Sequence, residues 1–285
     1  MDTVTLEAGA MRCELRPDLG GCIAGLWFDG VAVLRSARGG DALASARQSA
    51  NFPLVPFSNR IANAQLHWQG SVHALSPNFA PEPHAMHGIG WQRPWALRAG
   101  GSAFASLAFS HRADASWPFA FECVQEFLLS QHGLQVVMTI TNRHPRPAPA
   151  GLGWHPYFMK RPGSHLAFAA RGRWETDTQS LPARRSACEH VDVDGLALDI
   201  NHCFDGWSGA AVLRDDVLVT RIASSLDRLV VSTNPGKDFI AIEPVSHVSN
   251  ALGREDAVAR GIVELEAGAS YTARMNLEVE YTRRP

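Results

Sequence analysis

The strongest restriction on this chain is a period of two. Phe119, Phe121, Cys123, Gln125, Phe127 and Leu129 alternate with their neighbours up to Gln131-His132-Gly133, and Leu134, Val136, Met138 and Ile140 do the same on the way back. Successive side chains of an extended strand point to opposite faces, so the pattern predicts an antiparallel pair with one face in a core. Gly21 to Phe28 runs into Asp29-Gly30 and then Val31 to Leu34. Asp-Gly supplies the positive φ angles of a two-residue hairpin turn. Near the C-terminus Tyr271, Ala273, Met275, Leu277, Val279 and Tyr281 face one way, and Thr272, Arg274, Asn276, Glu278 and Glu280 the other. That is a strand with one wet face, expected to close its sheet late.

Helical signals are weak by comparison. Asp41 to Arg47 has room for two turns and Gly253 to Arg260 for one or two, but no stretch of twelve residues keeps a 3.6-residue period. Many short strands divided by Gly, Pro, Asn and Asp turns, without a strand-helix-strand rhythm, predict an all-β chain built as a large antiparallel β-sandwich with few short helices. With 285 residues, 46% of them apolar, there is material for one large core, so residues 1–285 are expected to form a single domain. The run from His144 to Pro149 is a stiff loop rather than a linker, because it leads directly into the stretch at 151–158.

Charge and cysteine usage exclude several classes of function. The 26 Lys and Arg against 28 Asp and Glu nearly balance, with no run of one sign, so neither nucleic acid nor an anionic membrane is an expected partner. The same balance points to a substrate without strong charge. The N-terminal residues from Met1 to Glu7 lack the basic and apolar regions of a secretory signal, and no segment is long and apolar enough to span a bilayer, which predicts a cytoplasmic protein. Cys13, Cys22, Cys123, Cys188 and Cys203 are odd in number and scattered, a pattern of reduced thiols rather than a disulfide framework.

Three stretches carry chemistry. In Gly151-Leu152-Gly153-Trp154-His155-Pro156-Tyr157-Phe158 a histidine stands between an indole and a proline, and the glycines let its backbone approach whatever lies opposite. A lone histidine among aromatics is ordinarily structural, and only partners make it a proton donor. Asn59-Arg60 ends an apolar run that starts at Asn51, presenting planar donors suited to hydroxyl or carboxylate oxygens. Beyond it come His84, His87-Gly88 and the indoles of Trp91 and Trp95, a mixture of aromatic faces and donors that suits a sugar. His84, His87 and His155 could be read as metal ligands, but spacing of the His-Glu-x-x-His kind is absent and no metal is expected. The third stretch is Phe239-Ile240-Ala241-Ile242-Glu243-Pro244, in which Glu243 shares a strand face with Phe239 and Ala241, so its carboxyl looks into the interior or a cleft. Desolvation there raises a carboxyl pKa.

Asn59-Arg60, His87-Gly88, His155-Pro156-Tyr157-Phe158 and Glu243-Pro244, in this order and at these separations, resemble the aldose 1-epimerase (galactose mutarotase) family over nearly the whole chain, from Phe52 to Ala251. The resemblance implies a β-supersandwich of the galactose mutarotase type, no cofactor, a monosaccharide as the small-molecule partner, and interconversion of the α and β anomers of an aldose such as galactose or glucose. It makes Glu243 the general base, His155 the general acid, His87 a second histidine at the ring oxygen and Arg60 a hydroxyl ligand, and places Asn201 at a hydroxyl-binding position; the donor and aromatic pattern adds Asn59 and Trp91 as candidate substrate contacts. One position departs from the family: an Asp usually opens the motif that reads Asn201-His202-Cys203-Phe204 here, leaving Asp199 or Asp205 as replacements.

Ring opening needs a proton removed from the anomeric hydroxyl and another given to the ring oxygen, so Glu243 is expected ionised and His155 protonated. A glycoside hydrolase would need two carboxylates flanking the scissile bond, where this chain offers one. A sugar-binding protein without catalysis and a hexose-6-phosphate 1-epimerase are the other readings; the latter calls for extra cations, of which Arg93 is the candidate in the sequence. A monomer or homodimer is expected.

Overall fold

The computed structural model describes residues 3–36 and 43–283, and it is antiparallel sheet almost throughout. The predicted hairpins form as the alternation requires. Cys22–Phe28 pairs with Val31–Ala32 across a turn in which Asp29 has φ 49° and Gly30 φ 76°. Phe121–Ser130 pairs with Gly133–Asn142 from Phe121↔Asn142 to Ser130↔Gly133. Phe121, Cys123, Phe127 and Leu129 all point into the core. The polar member of that face, Gln125, is equally buried and donates from its amide to the Gly21 carbonyl at 3.1 Å, so no buried donor is left unmet there.

Two large sheets dominate. One has nine strands, beginning at Ala96–Gly100 and ending at His190–Asp194. The last strand of the chain, Ser270–Tyr281, lies in its middle, between Gly133–Asn142 and Leu218–Ser224, and so welds the two halves of the chain together. Ala273, Met275, Leu277 and Val279 of that strand are buried, as the alternation predicts. The second large sheet carries, side by side, Ile200–Asp205, Arg228–Thr233, Phe239–Val245, Gly153–Trp154 and Pro53–Leu54. Thus the three stretches picked out for their chemistry are hydrogen-bonded neighbours. A four-stranded sheet from Val4 to Ala32 packs against this sandwich, and one contiguous cluster of buried apolar side chains runs from Leu6 to Val279.

Among the described residues every helical segment is a three-residue 3-10 turn. Of the stretch expected to make two helical turns, Asp41 and Ala42 lie outside the described residues, and the rest forms a single 3-10 turn, Ala46–Gln48, capped by the Ser45 hydroxyl. Between Gly253 and Arg260 there are only turns, closed by the Arg260 N–H on the carbonyls of Asp256 and Ala257. No helix among the described residues is long and apolar enough to cross a membrane. All five cysteines are free, four of them buried.

Candidate active site

The glycines before His155 do what their spacing suggested. A Cβ on Gly153 would lie 2.8 Å from the Pro244 carbonyl oxygen, and one on Gly151 would lie 2.4 Å from the His247 ring. Only bare backbone lets this strand nest against the end of Phe239–Val245, which carries Glu243. The His155 N–H donates to the Phe52 carbonyl at 3.0 Å, and the Tyr157 N–H to that of Ala50 at 2.9 Å, so the histidine is clamped on its other side too. The result is a short contact across 88 residues of chain: His155 Nε2 lies 3.2 Å from Glu243 Oε1. Glu243 is 2% exposed, while the His155 side chain keeps 12% of its surface open to a cleft.

His87 completes the corner. It packs edge-on to His155 at 5.2 Å, and Phe52 stacks on His155 at 4.7 Å. The backbone N–H of Asn59 donates to His87 Nδ1 at 3.1 Å, so the neutral ring carries its proton on Nε2. Both residues sit in left-handed backbone, Asn59 at φ 55° and His87 at φ 59°, and their turns grip each other through a second bond from the His87 N–H to the Asn59 carbonyl. Burial, together with the nearby Arg60 and Arg47 cations, pushes the His87 pKa down to about 3. At neutral pH it is a fixed N–H donor, not an acid.

Burial pushes the Glu243 carboxyl up to about 8, a rise only partly offset by Arg60. Burial, then the proximity of His87, holds His155 well below its ordinary 6.5. This departs from the expected ionised Glu243 and protonated His155: surroundings of low polarity favour the uncharged partners, with the one proton of the pair on the carboxyl. Glu243 Oε2 and His155 Nδ1 are buried and find no partner within the described protein.

Arg60 is less free than expected. Its Nε and Nη2 form a fork onto Glu82 at 2.8 and 2.7 Å, leaving Nη1 beside Asn59 Oδ1 at 3.4 Å. Glu82, which the sequence did not single out, thus holds the arginine in place; its position between Pro81 and Pro83, just ahead of His84, was the available signal. Asn201 reaches the same corner as Asn59 and Arg60, on the exposed rim. Asp205 does not replace the missing acid there, because both its oxygens take Arg185 and one also takes the Trp174 indole; Asp199 is exposed. His84 accepts the Asn63 N–H at 3.0 Å and does not join His87 and His155, so the three do not assemble into a ligand set.

Trp91 departs from expectation most clearly. It is 8% exposed, with its indole N–H on the Met86 carbonyl, and it backs Phe52 and Phe79 from behind rather than lining the cleft. Its bulk was legible; its direction was not. The cleft, about 480 Å³, is walled instead by the rings of Phe52, Phe79, Tyr157 and Phe239 beside His87 and His155. Arg93 lies on the outer surface against Asp114, 3.6 Å away.

A sequence profile of the family described as aldose 1-epimerase matches residues 2–278. The uncharacterized protein YphB of Escherichia coli (strain K12) is 28% identical over 99% of this chain and 100% of its own length. A crystal structure from Escherichia coli K12 superposes with a TM-score of 0.85 at 27% identity, covering 98% of this chain and 99% of that one. A galactose mutarotase-like protein from Clostridium acetobutylicum shares the fold at a TM-score of 0.82 and 18% identity, over 98% of this chain and 95% of that one.

Proposed function

Because the chain belongs to the aldose 1-epimerase family, we propose that it interconverts the α and β anomers of an aldose, with His155 and Glu243 exchanging the two protons of ring opening. The observation that carries this reading is the 3.2 Å contact between His155, which lines a sugar-sized cleft, and the buried carboxyl of Glu243. The anomeric hydroxyl and the ring oxygen of an aldose hang on the same carbon, so an acid and a base that serve both must themselves be neighbours.

The proton inventory fits. With sugar bound, Glu243 as carboxylate takes the O1 proton while His155 as imidazolium gives one to O5. The open-chain aldehyde then faces a neutral carboxyl and a neutral imidazole, the forms that burial favours. Rotation about C1–C2 and the reverse transfers yield the other anomer. The pair therefore carries a single proton throughout and needs no exchange with solvent in mid-reaction. His87, held neutral with its proton on Nε2, donates a hydrogen bond to the ring oxygen without competing for the catalytic proton. Arg60 Nη1, Asn59 and Asn201 contact the remaining hydroxyls, and the aromatic wall takes the C–H face of the sugar.

A mixture enriched in one anomer of glucose or galactose, followed by polarimetry or NMR, tests the reading. His155→Ala and Glu243→Gln should each lower the protein-dependent rate by about 10²–10⁴. Rates that stay at the wild-type level sink the assignment. Tight sugar binding without any acceleration by the wild-type protein would support the non-catalytic reading instead.

A further inference from the structure

The cleft has a charge that the overall balance of the chain conceals. Among the described residues three cations line it, Arg35, Arg47 and Lys237, and no Asp or Glu does. Elsewhere arginines are usually spent on acids, as Arg143 is on Glu122 and Arg185 on Asp205. The cleft cations rest on rings instead: Arg35 Cζ lies 3.8 Å from the Tyr157 centroid, Arg47 Cζ 3.4 Å from that of Phe79, and Lys237 Nζ 4.9 Å from that of Phe239. Among the described residues none of the three forms an ion pair; Asp238 and Glu82 reach Arg35 and Arg47 only as longer-range fields. Arg35 Nη2 is anchored to the carbonyls of Arg47 and Ser49 at 2.7 and 3.0 Å, while its Nε is buried without a partner.

Stacking on an aromatic face holds a guanidinium in one plane, the arrangement that grips an oxyanion through whichever edge donors are not already spent. Arg35 has given Nη2 to the two carbonyls and a hydrogen bond to Tyr157, whereas among the described residues the Arg47 guanidinium has only its ring contact. The cations are also one ring away from the reacting groups. Tyr157 touches both Arg35 and His155, at 4.4 Å from the latter, and Phe79 touches both Arg47 and His87, at 6.4 Å from the latter. Donors to the ring oxygen of a pyranose stand beside C5, the carbon that bears the exocyclic C6. An anionic group on C6 therefore falls on the side of the histidines where these cations lie.

We infer that the substrate of this cleft is an aldose carrying an oxyanion on its exocyclic carbon, a phosphate or a carboxylate, bound by Arg35, Arg47 and Lys237. This rests on the anomerase reading and replaces the expectation of a substrate without strong charge. Arg35 and Lys237 are among the charges that depress His155. An arriving anion offsets them and makes the imidazole easier to protonate, so the right substrate tunes its own acid.

Anomer exchange measured by NMR at pH 7, with the spontaneous rate subtracted, decides the matter on a panel of glucose, galactose, their 6-phosphates, glucuronate and galacturonate. The 6-phosphates or the uronates should exceed the parent hexoses by about tenfold or more in kcat/KM, chiefly through KM, and lose that advantage as salt is raised. Whichever anion leads identifies its source. In Arg47→Gln/Lys237→Gln, changes at exposed side chains, the ratio of anionic to neutral kcat/KM should fall toward one. Equal rates for neutral and anionic sugars, or a ratio untouched by the double variant, overturn the inference while leaving the anomerase reading standing. No acceleration of any sugar overturns the anomerase reading, and calorimetric titration with glucose and glucose 6-phosphate then still decides whether the cations select an oxyanion.

Discussion

Glu243→Gln should make the protein more stable while disabling it, and the gain should depend on pH in a defined way. The residue is 2% exposed and its carboxyl is moved by burial from 4.5 to about 8. In the unfolded chain it loses its proton near 4.5; in the folded protein it keeps it until about 8. The folded state binds more protons between those values, so stability falls as pH rises from 4.5 toward 8 and is unaffected below that window. Holding at pH 7 a proton that the unfolded chain has shed costs about 3 kcal/mol, at about 1.4 kcal/mol per pH step. Glutamine has nearly the same shape, can still hydrogen-bond His155 and titrates nowhere, so it escapes this cost. For a chain of this size that corresponds to an increase in Tm of several degrees at pH 7, shrinking to near zero at pH 4. Thermal unfolding of both proteins across that range is the assay. A difference that does not change with pH, or one that grows as pH falls, would refute the claim that Glu243 is a desolvated carboxyl holding its proton at neutrality.

The pH dependence of anomerisation should show the pair directly. kcat/KM should be flat around neutrality and fall about tenfold per pH step above about 8, where the pair loses its proton, and its acid limb should lie well below 6.5 because His155 is depressed. A rate that already falls with acid at pH 6.5 would show that burial does not depress that histidine. Gly88→Ala should cost more than about 3 kcal/mol and remove activity, since Gly88 has φ 68° and an added Cβ would lie 2.1 Å from the Val55 carbonyl oxygen. That carbonyl accepts the N–H groups of Ile89 and Gly90 and so fixes the His87 turn. Denaturation of the variant by urea checks this, and wild-type stability would show that the turn can reorganise around a methyl group.

The strand content, the hairpin at Asp29-Gly30, the one-sided burial of Phe121–Ser130 and the choice of His155, Glu243 and His87, which the fold brings into contact, were legible in the chain as written. Each is a local matter: side-chain alternation, positive φ at a turn, a glycine before a close approach, or short motifs in a characteristic order. Trp91, Glu82 and the cations behaved differently. Whether an indole faces a cleft or backs its wall depends on which strands pair beneath it, and the indole of Trp91 found the Met86 carbonyl. Arg35 and Arg47 belong to no motif, and only the folding of the segment before Phe52 onto Tyr157 and Phe79 makes them part of the cleft. Titration is likewise a tertiary property. The sequence shows a histidine and a glutamate 88 residues apart; enclosure by neighbouring strands removes water from both and leaves the pair with a single shared proton, because solvation, unlike periodicity, is set by everything that surrounds a group.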